Sequence, residues 1–315
     1  MPGRLQKTSL LLGLLLSGAP LFAQVEPDSS ALDSQAFQLP PIFPGLAPQM
    51  IGLWEVEILS FNPLTTTKLT TQFEDSTFVS RFTHLTHQLQ LNLGILRSRR
   101  LNVGLELQYN HARNDPDAGS SAARVLGNKD ELTVRGFTGL GFRLRAMPFG
   151  TLPELTFQTL VVLPVGKSDE LGRERIAWSL QASFYQRLLP WLTGFADAGV
   201  QIQFDKPTRP EQEYTPFVNV YFVGELWRNR LYIYPGITWS TLLKQRLEGA
   251  PLRTDINWTF NLGLQYNFTR NALLNFQWGR FIQYISSREA QRLEPGSFNS
   301  FSLGLRFLIQ PQKPS

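Results

Sequence analysis

Near the C-terminus, Phe301, Leu303, Leu305 and Phe307 alternate with Ser300, Ser302, Gly304 and Arg306. Side chains along a strand point to opposite faces in turn, so this stretch has one apolar face and one polar face. Such a strand fits a soluble sheet, between core and water. It fits equally a stave of a membrane barrel, between lipid and an aqueous lumen. The rest of the chain has to decide between the two.

The N-terminus argues for export. Arg4 and Lys7 precede an apolar run from Leu10 to Leu16, and Ala19-Pro20-Leu21-Phe22-Ala23 supplies small residues ahead of a polar sequence. These are the parts of a secretory signal peptide over residues 1–23, cleaved after Ala23. Beyond it no run of eighteen apolar residues occurs, so a second spanning helix is excluded and any membrane insertion must use a closed sheet. The chain has no cysteine, which excludes a lipoprotein anchor and a disulfide framework. Removing Arg4 and Lys7 lowers the net charge from +5 to +3, too weak a bias for nucleic acid as a partner.

Residues 24–50 include four prolines in the nine residues from Pro40 to Pro48. Proline at that density disfavours helix and central strand alike, so the expectation is an extended, disordered periplasmic leader. A lumen plug or a partner-docking segment is the alternative.

Alternation then recurs through residues 51–309. Trp54, Val56 and Ile58 oppose Glu55, Glu57 and Leu59; the polar stretch with Asn62-Pro63 and Thr65-Thr66-Thr67 reads as a loop, and a second strand runs from Thr83 to Leu96. Nine more amphipathic segments follow before the terminal one, separated by turn chemistry such as Arg97-Ser98-Arg99-Arg100 and Asn114-Asp115-Pro116-Asp117. Short turns alternating with longer polar loops predict an all-β fold: a transmembrane up-and-down antiparallel barrel of about twelve strands, both termini periplasmic. Residues 310–315 form a tail. Trp54, Trp191 and Trp227 at one set of strand ends, with Trp178, Trp239 and Trp258 near the other, fit aromatic girdles at two interfaces.

On this parity the candidate lumen lining is Glu55, Glu57, Glu106, Glu154, Asp197, Glu225 and Asp255 with Arg135, Arg143, Arg145, Arg187 and Arg306. Tyr221 and Tyr234 share that face, as do Phe137, Tyr185, Phe195, Phe217 and Tyr232. Acids and arginines in a narrow barrel most simply pair across it, because a buried charge is costly alone. The functional reading is a selectivity lining that orients a polar solute. His84 and His87 are three apart and fall on opposite faces, and His111 starts a loop, so neither a metal site nor a hydrolase triad converges. No cofactor is expected, and no catalytic residue.

Strands ending in Leu303-Gly304-Leu305-Arg306-Phe307, Leu163-Pro164-Val165-Gly166 before a polar loop, and hairpins in tandem from Trp54 to Phe307 resemble outer-membrane barrels of the phenol-degradation MetA-pathway type. The resemblance implies residence in a Gram-negative outer membrane and passage of a small solute through the barrel, and it carries over no individual residue. The terminal strand also resembles the signal read by the barrel-assembly machinery, with Phe307 as its aromatic. The expectation is therefore a passive channel or facilitator, and the alternative a closed structural or partner-docking barrel.

Overall fold

The computed structural model describes residues 50–73, 76–127, 132–166, 171, 175–204, 211–246, 253–286 and 299–311. Residues 1–49, over which the sequence predicts a signal peptide and leader, and residues 312–315 of the expected tail lie outside the described residues. The chain forms two units, Met1–Gln38 and Leu39–Ser315, and every described residue belongs to the second.

Twelve strands account for nearly all of it: β1 (Val56–Phe73), β2 (Ser76–Gly94), β3 (Leu101–Asp115), β4 (Thr133–Ala146), β5 (Leu155–Pro164), β6 (Ala177–Leu189), β7 (Leu192–Gln203), β8 (Glu211–Trp227), β9 (Leu231–Arg246), β10 (Arg253–Thr269), β11 (Ala272–Ser286) and β12 (Asn299–Ile309). Each pairs with its sequence neighbour, and β1 pairs antiparallel with β12 from Val56↔Ile309 to Thr66↔Asn299, closing the barrel. Closure leaves no edge of unpaired amides, which lipid could not satisfy. Four tight turns, those after β2, β6, β8 and β10, lie at one end together with the start of β1 and the end of β12. This is called the turn end below.

The burial pattern is inverted relative to a soluble protein. In β12, Leu303 is 46 % exposed while Ser302 is 7 % and Arg306 only 2 % exposed. Leu89, Leu91, Leu105, Leu107, Phe142, Leu144, Val218, Val220 and Phe222 continue the outward band on other strands. An apolar band that encircles the protein is far larger than a soluble monomer exposes, and it matches a lipid-facing belt.

The first hairpin differs from the sequence expectation. Asn62, Pro63 and Thr65 to Thr67 are not a loop: they continue β1, which runs for 18 residues beside the 19 of β2. Threonine's branched β-carbon suits an extended backbone. The β1–β2 register skips Asn62 and Pro63 and resumes unchanged at Leu64↔Leu85, since proline has no N–H to donate.

A second difference arises in β4. Gln108 pairs with Gly139 but Tyr109 pairs with Phe137, so Thr138 is an extra residue. Thr138 is buried, and its Oγ1 accepts a hydrogen bond from Asn110 Nδ2 at 2.5 Å. This β-bulge reverses the facing of everything before it. Phe137 and Arg135, expected in the lumen, therefore share the outer face with Tyr109 and His111, their register partners. The Phe137 ring stands edge-on to Tyr109 at 5.1 Å.

Outside the barrel, a short 3-10 helix (Ala122–Leu126) in the β3–β4 connection packs on β2 and β3. Val125 is buried there, as are Leu85, His111 and Arg113. Arg113 Nε lies 2.7 Å from Asp115 Oδ2, and the His87 and His111 rings meet edge-on at 5.2 Å. Only the β2–β3 register brings these two histidines together, which their spacing in sequence does not show.

Candidate lumen site

Inward positions of β1 to β4 and β12 form an ionic wall. Glu57, in the second residue of β1, is fully buried, and alternation alone turns it inward. Its carboxylate accepts from Arg306 Nε at 2.7 Å, Arg145 Nη1 at 2.7 Å and Asn92 Nδ2 at 3.0 Å. Arg145 stands on β4 and Glu57 on β1, so this bond passes over β3 and β2. The arginine's length and the curvature of the wall make the reach feasible. Arg145 also donates from Nε to Gln158 Oε1 at 3.0 Å. Deeper in, Arg143 pairs with Glu106, which accepts a further bond from Gln108 Nε2 at 2.6 Å. Every carboxylate here is held by guanidinium and amide donors together, the condition under which buried charge is tolerated.

The opposite wall is aromatic. Phe195, Tyr221, Val223, Tyr232 and Tyr234 cluster on β7, β8 and β9, with Tyr185 of β6 packed against them. The sequence also supplies the space for the rings. Tyr221 faces Gly236 across the β8–β9 ladder, and Tyr234 faces Gly263 across β9–β10. A β-carbon added at Gly236 would stand 2.1 Å from the Tyr221 ring, and one at Gly263 would stand 1.8 Å from that of Tyr234. Each ring thus lies flat over a cross-strand glycine. Tyr234 Oη donates to Asn275 Oδ1 at 2.6 Å. Asp197 Oδ1 accepts from Asn219 Nδ2 at 2.6 Å, while Oδ2 has no hydrogen-bond partner among the described residues.

The remaining candidates sit at the rim. Glu55, just before β1, accepts from Gly52 N at 2.7 Å and lies 3.3 Å from Arg99 Nη2. Glu154 is half-buried in the β4–β5 connection, where its carbonyl accepts from Tyr185 N. Arg187 is exposed and donates to the Pro190 carbonyl at 2.6 Å, and Glu225 accepts from Asn229 N in the β8–β9 turn. Both therefore brace turns instead of facing across the lumen. Asp255 pairs through its backbone with Leu242 and Ser286, and its side chain lies outside the described residues.

Two features of the site have no sequence signal. Neutral amides such as Asn92, Gln108, Gln158 and Asn275 complete its hydrogen bonding, and only inward parity marks them. The second is the chain's approach to β1. Asn102 Oδ1 accepts from Ile51 N at 3.1 Å and Asn102 Nδ2 donates to Ile51 O at 2.9 Å, a side-chain copy of a ladder pair. Among the described residues no group of three or more His, Cys, Asp or Glu side chains is placed to hold a metal ion.

The architecture defines a closed twelve-stranded barrel of the outer-membrane type. Among solved structures it is similar to an outer-membrane channel from Pseudomonas putida F1, with 14 % identity over 85 % of this chain and 100 % of that one, at a TM-score of 0.59. At that identity the likeness is one of fold. The β domain of the Bordetella autotransporter Brka also aligns, at 13 % identity over 79 % of this chain and 99 % of that one, with a TM-score of 0.48. No family model matches the chain, and no curated protein matches it in sequence.

Proposed function

We propose that this chain is a passive outer-membrane channel or facilitator for small solutes, exported by a cleaved signal peptide in a Gram-negative bacterium. The observation that carries the reading is the lining. An ion-paired wall built on Glu57, Glu106, Arg143, Arg145 and Arg306 faces a tyrosine wall built on Tyr221 and Tyr234. Fixed charges of both signs opposite aromatic rings suit a small solute with a polar group and an apolar body. Outer-membrane lipid covers the outward belt, and the barrel-assembly machinery inserts the chain through its β12 strand. Membership of the MetA-pathway type is part of the same proposal.

Purified protein in liposomes tests it. Uptake of small uncharged and zwitterionic solutes is expected above that of protein-free vesicles. A barrel that admits none of them overturns the reading.

The second reading, a closed structural or docking barrel, is favoured by one observation: Glu57, Glu106, Tyr221 and Tyr234 are all at most 2 % exposed, so side chains occupy much of the interior. It predicts that the same vesicles stay sealed at every solute size.

A further inference from the structure

The outer wall changes character where the apolar belt ends, on the side away from the turn end. On β2 the exposed Leu91 and Leu89 give way to His87, and on β3 Leu105 and Leu107 give way to Tyr109 and His111. On β4 the exposed Phe137 is succeeded, further from the turn end, by Arg135, whose register partner is His111. Alternation and the Thr138 bulge place all of these side chains outside the barrel, at the depth where hydrocarbon meets headgroups.

The two imidazoles are held so that each keeps one nitrogen free. Asn62 donates through Nδ2 to the Leu303 carbonyl at 3.1 Å, which leaves its Oδ1 as a pure acceptor. His87 Nδ1 lies 2.7 Å from that oxygen and must therefore carry the proton, so Nε2 of His87 is a lone pair. His111 bonds the Val125 backbone, and its Nδ1 has no partner although the residue is only 9 % exposed. Nε2 therefore makes the bond to Val125, and Nδ1 is a second lone pair. The two ring centroids are 5.2 Å apart. Arg135 stands beside them with no ion pair among the described residues, whereas Arg113 and Arg124 both lean on Asp115.

Two neighbouring imidazole acceptors alone would suit a divalent metal. The guanidinium decides otherwise, because it repels a metal cation and attracts an anion. A phosphomonoester satisfies both kinds of group. Its oxygens accept from the guanidinium fork, and with a second pKa of about 6 its remaining hydroxyl can donate to an imidazole nitrogen. A phosphodiester has no such proton. Depth supplies the source, since a group placed where the belt ends meets lipid headgroups.

We propose that His87, His111 and Arg135 bind the phosphomonoester headgroup of a membrane lipid in the loop-side leaflet, against the outer wall of β2 to β4. The site rests on the outer-membrane reading above and not on solute passage.

Native mass spectrometry of the full-length protein in nonionic detergent tests it, with equal amounts of phosphatidic acid, a phosphomonoester, and phosphatidylglycerol, a diester. Wild type should carry phosphatidic acid in preference by roughly tenfold, the worth of one charge-assisted hydrogen bond. Arg135→Gln should reduce that preference to near one, and so should His87→Phe; both positions are half-buried, and heat-dependent gel mobility confirms that each variant is folded. Equal adducts of the two lipids on wild type, or a preference that survives both substitutions, overturns the site. Displacement of phosphatidic acid by millimolar inorganic phosphate would assign the site to the free ion and overturns the lipid equally. A failed preference leaves the channel standing, and a barrel that transports nothing leaves the preference standing.

Discussion

Glu57 and Arg306 lie 249 positions apart in sequence and 2.7 Å apart in space, one in the strand that begins the barrel and the other in the strand that closes it. Leu59 is the register partner of Arg306, so the ion pair runs diagonally across the seam. The closing ladder and the ionic wall are thus one structure. Removing the carboxylate by Glu57→Gln leaves Arg306 and Arg145 buried without their acceptor and should cost about 3 kcal/mol, because a broken buried pair strands its partners' charge. Denaturant unfolding in lipid vesicles measures it. An unchanged midpoint would mean that the seam gains nothing from the pair.

The facing of β12 makes a second prediction. Leu303→Lys places a charge on the lipid side and should lower the stability of the inserted barrel by about 2–4 kcal/mol if it lies near the midplane. Ser302→Ala, one residue away on the lumen side, should change little. Protease protection and heat-dependent gel mobility report insertion, and equal failure of the two variants would reverse the facing assigned to the strand.

Tyr234 needs the missing β-carbon of Gly263. Gly263→Ala forces the ring off its bed and should cost about 1–3 kcal/mol, as overpacking does. In a Tyr234→Ser background, itself destabilised by loss of the buried ring, Gly263→Ala should cost little more, since the two changes share one contact and cannot be additive. Additive losses in the double variant would show that the glycine acts through the backbone alone.

The bulge at Thr138 can be read with single cysteines. Arg135→Cys should react with membrane-impermeant reagent from outside the barrel wall, at its position beside His111. Deleting Thr138 should restore simple alternation and turn position 135 inward, slowing that reaction. A rate unaffected by the deletion would place Arg135 elsewhere.

These residues also mark what the sequence could reveal. The closed barrel and the inward course of Glu57, Arg143, Arg145, Tyr221, Tyr234 and Arg306 follow from period-two alternation, which is strong wherever one face meets lipid. Where strands run past the apolar belt, both faces are polar and the signal vanishes, so the Thr65 to Thr67 segment looked like a loop. Phe137-Thr138-Gly139 carries no mark of a bulge, because glycine and phenylalanine are acceptable on either face of such a wall. One inserted residue was enough to misplace Arg135. The Asn102 clamp on Ile51 joins side chain to backbone across 51 positions, a relationship with no local pattern to betray it.

A polar pathway inside this barrel is tested most directly by single-channel recording in planar bilayers. Purified protein should give stepwise conductance in salt where protein-free bilayers are silent. Silence from protein confirmed as folded and inserted would contradict the channel.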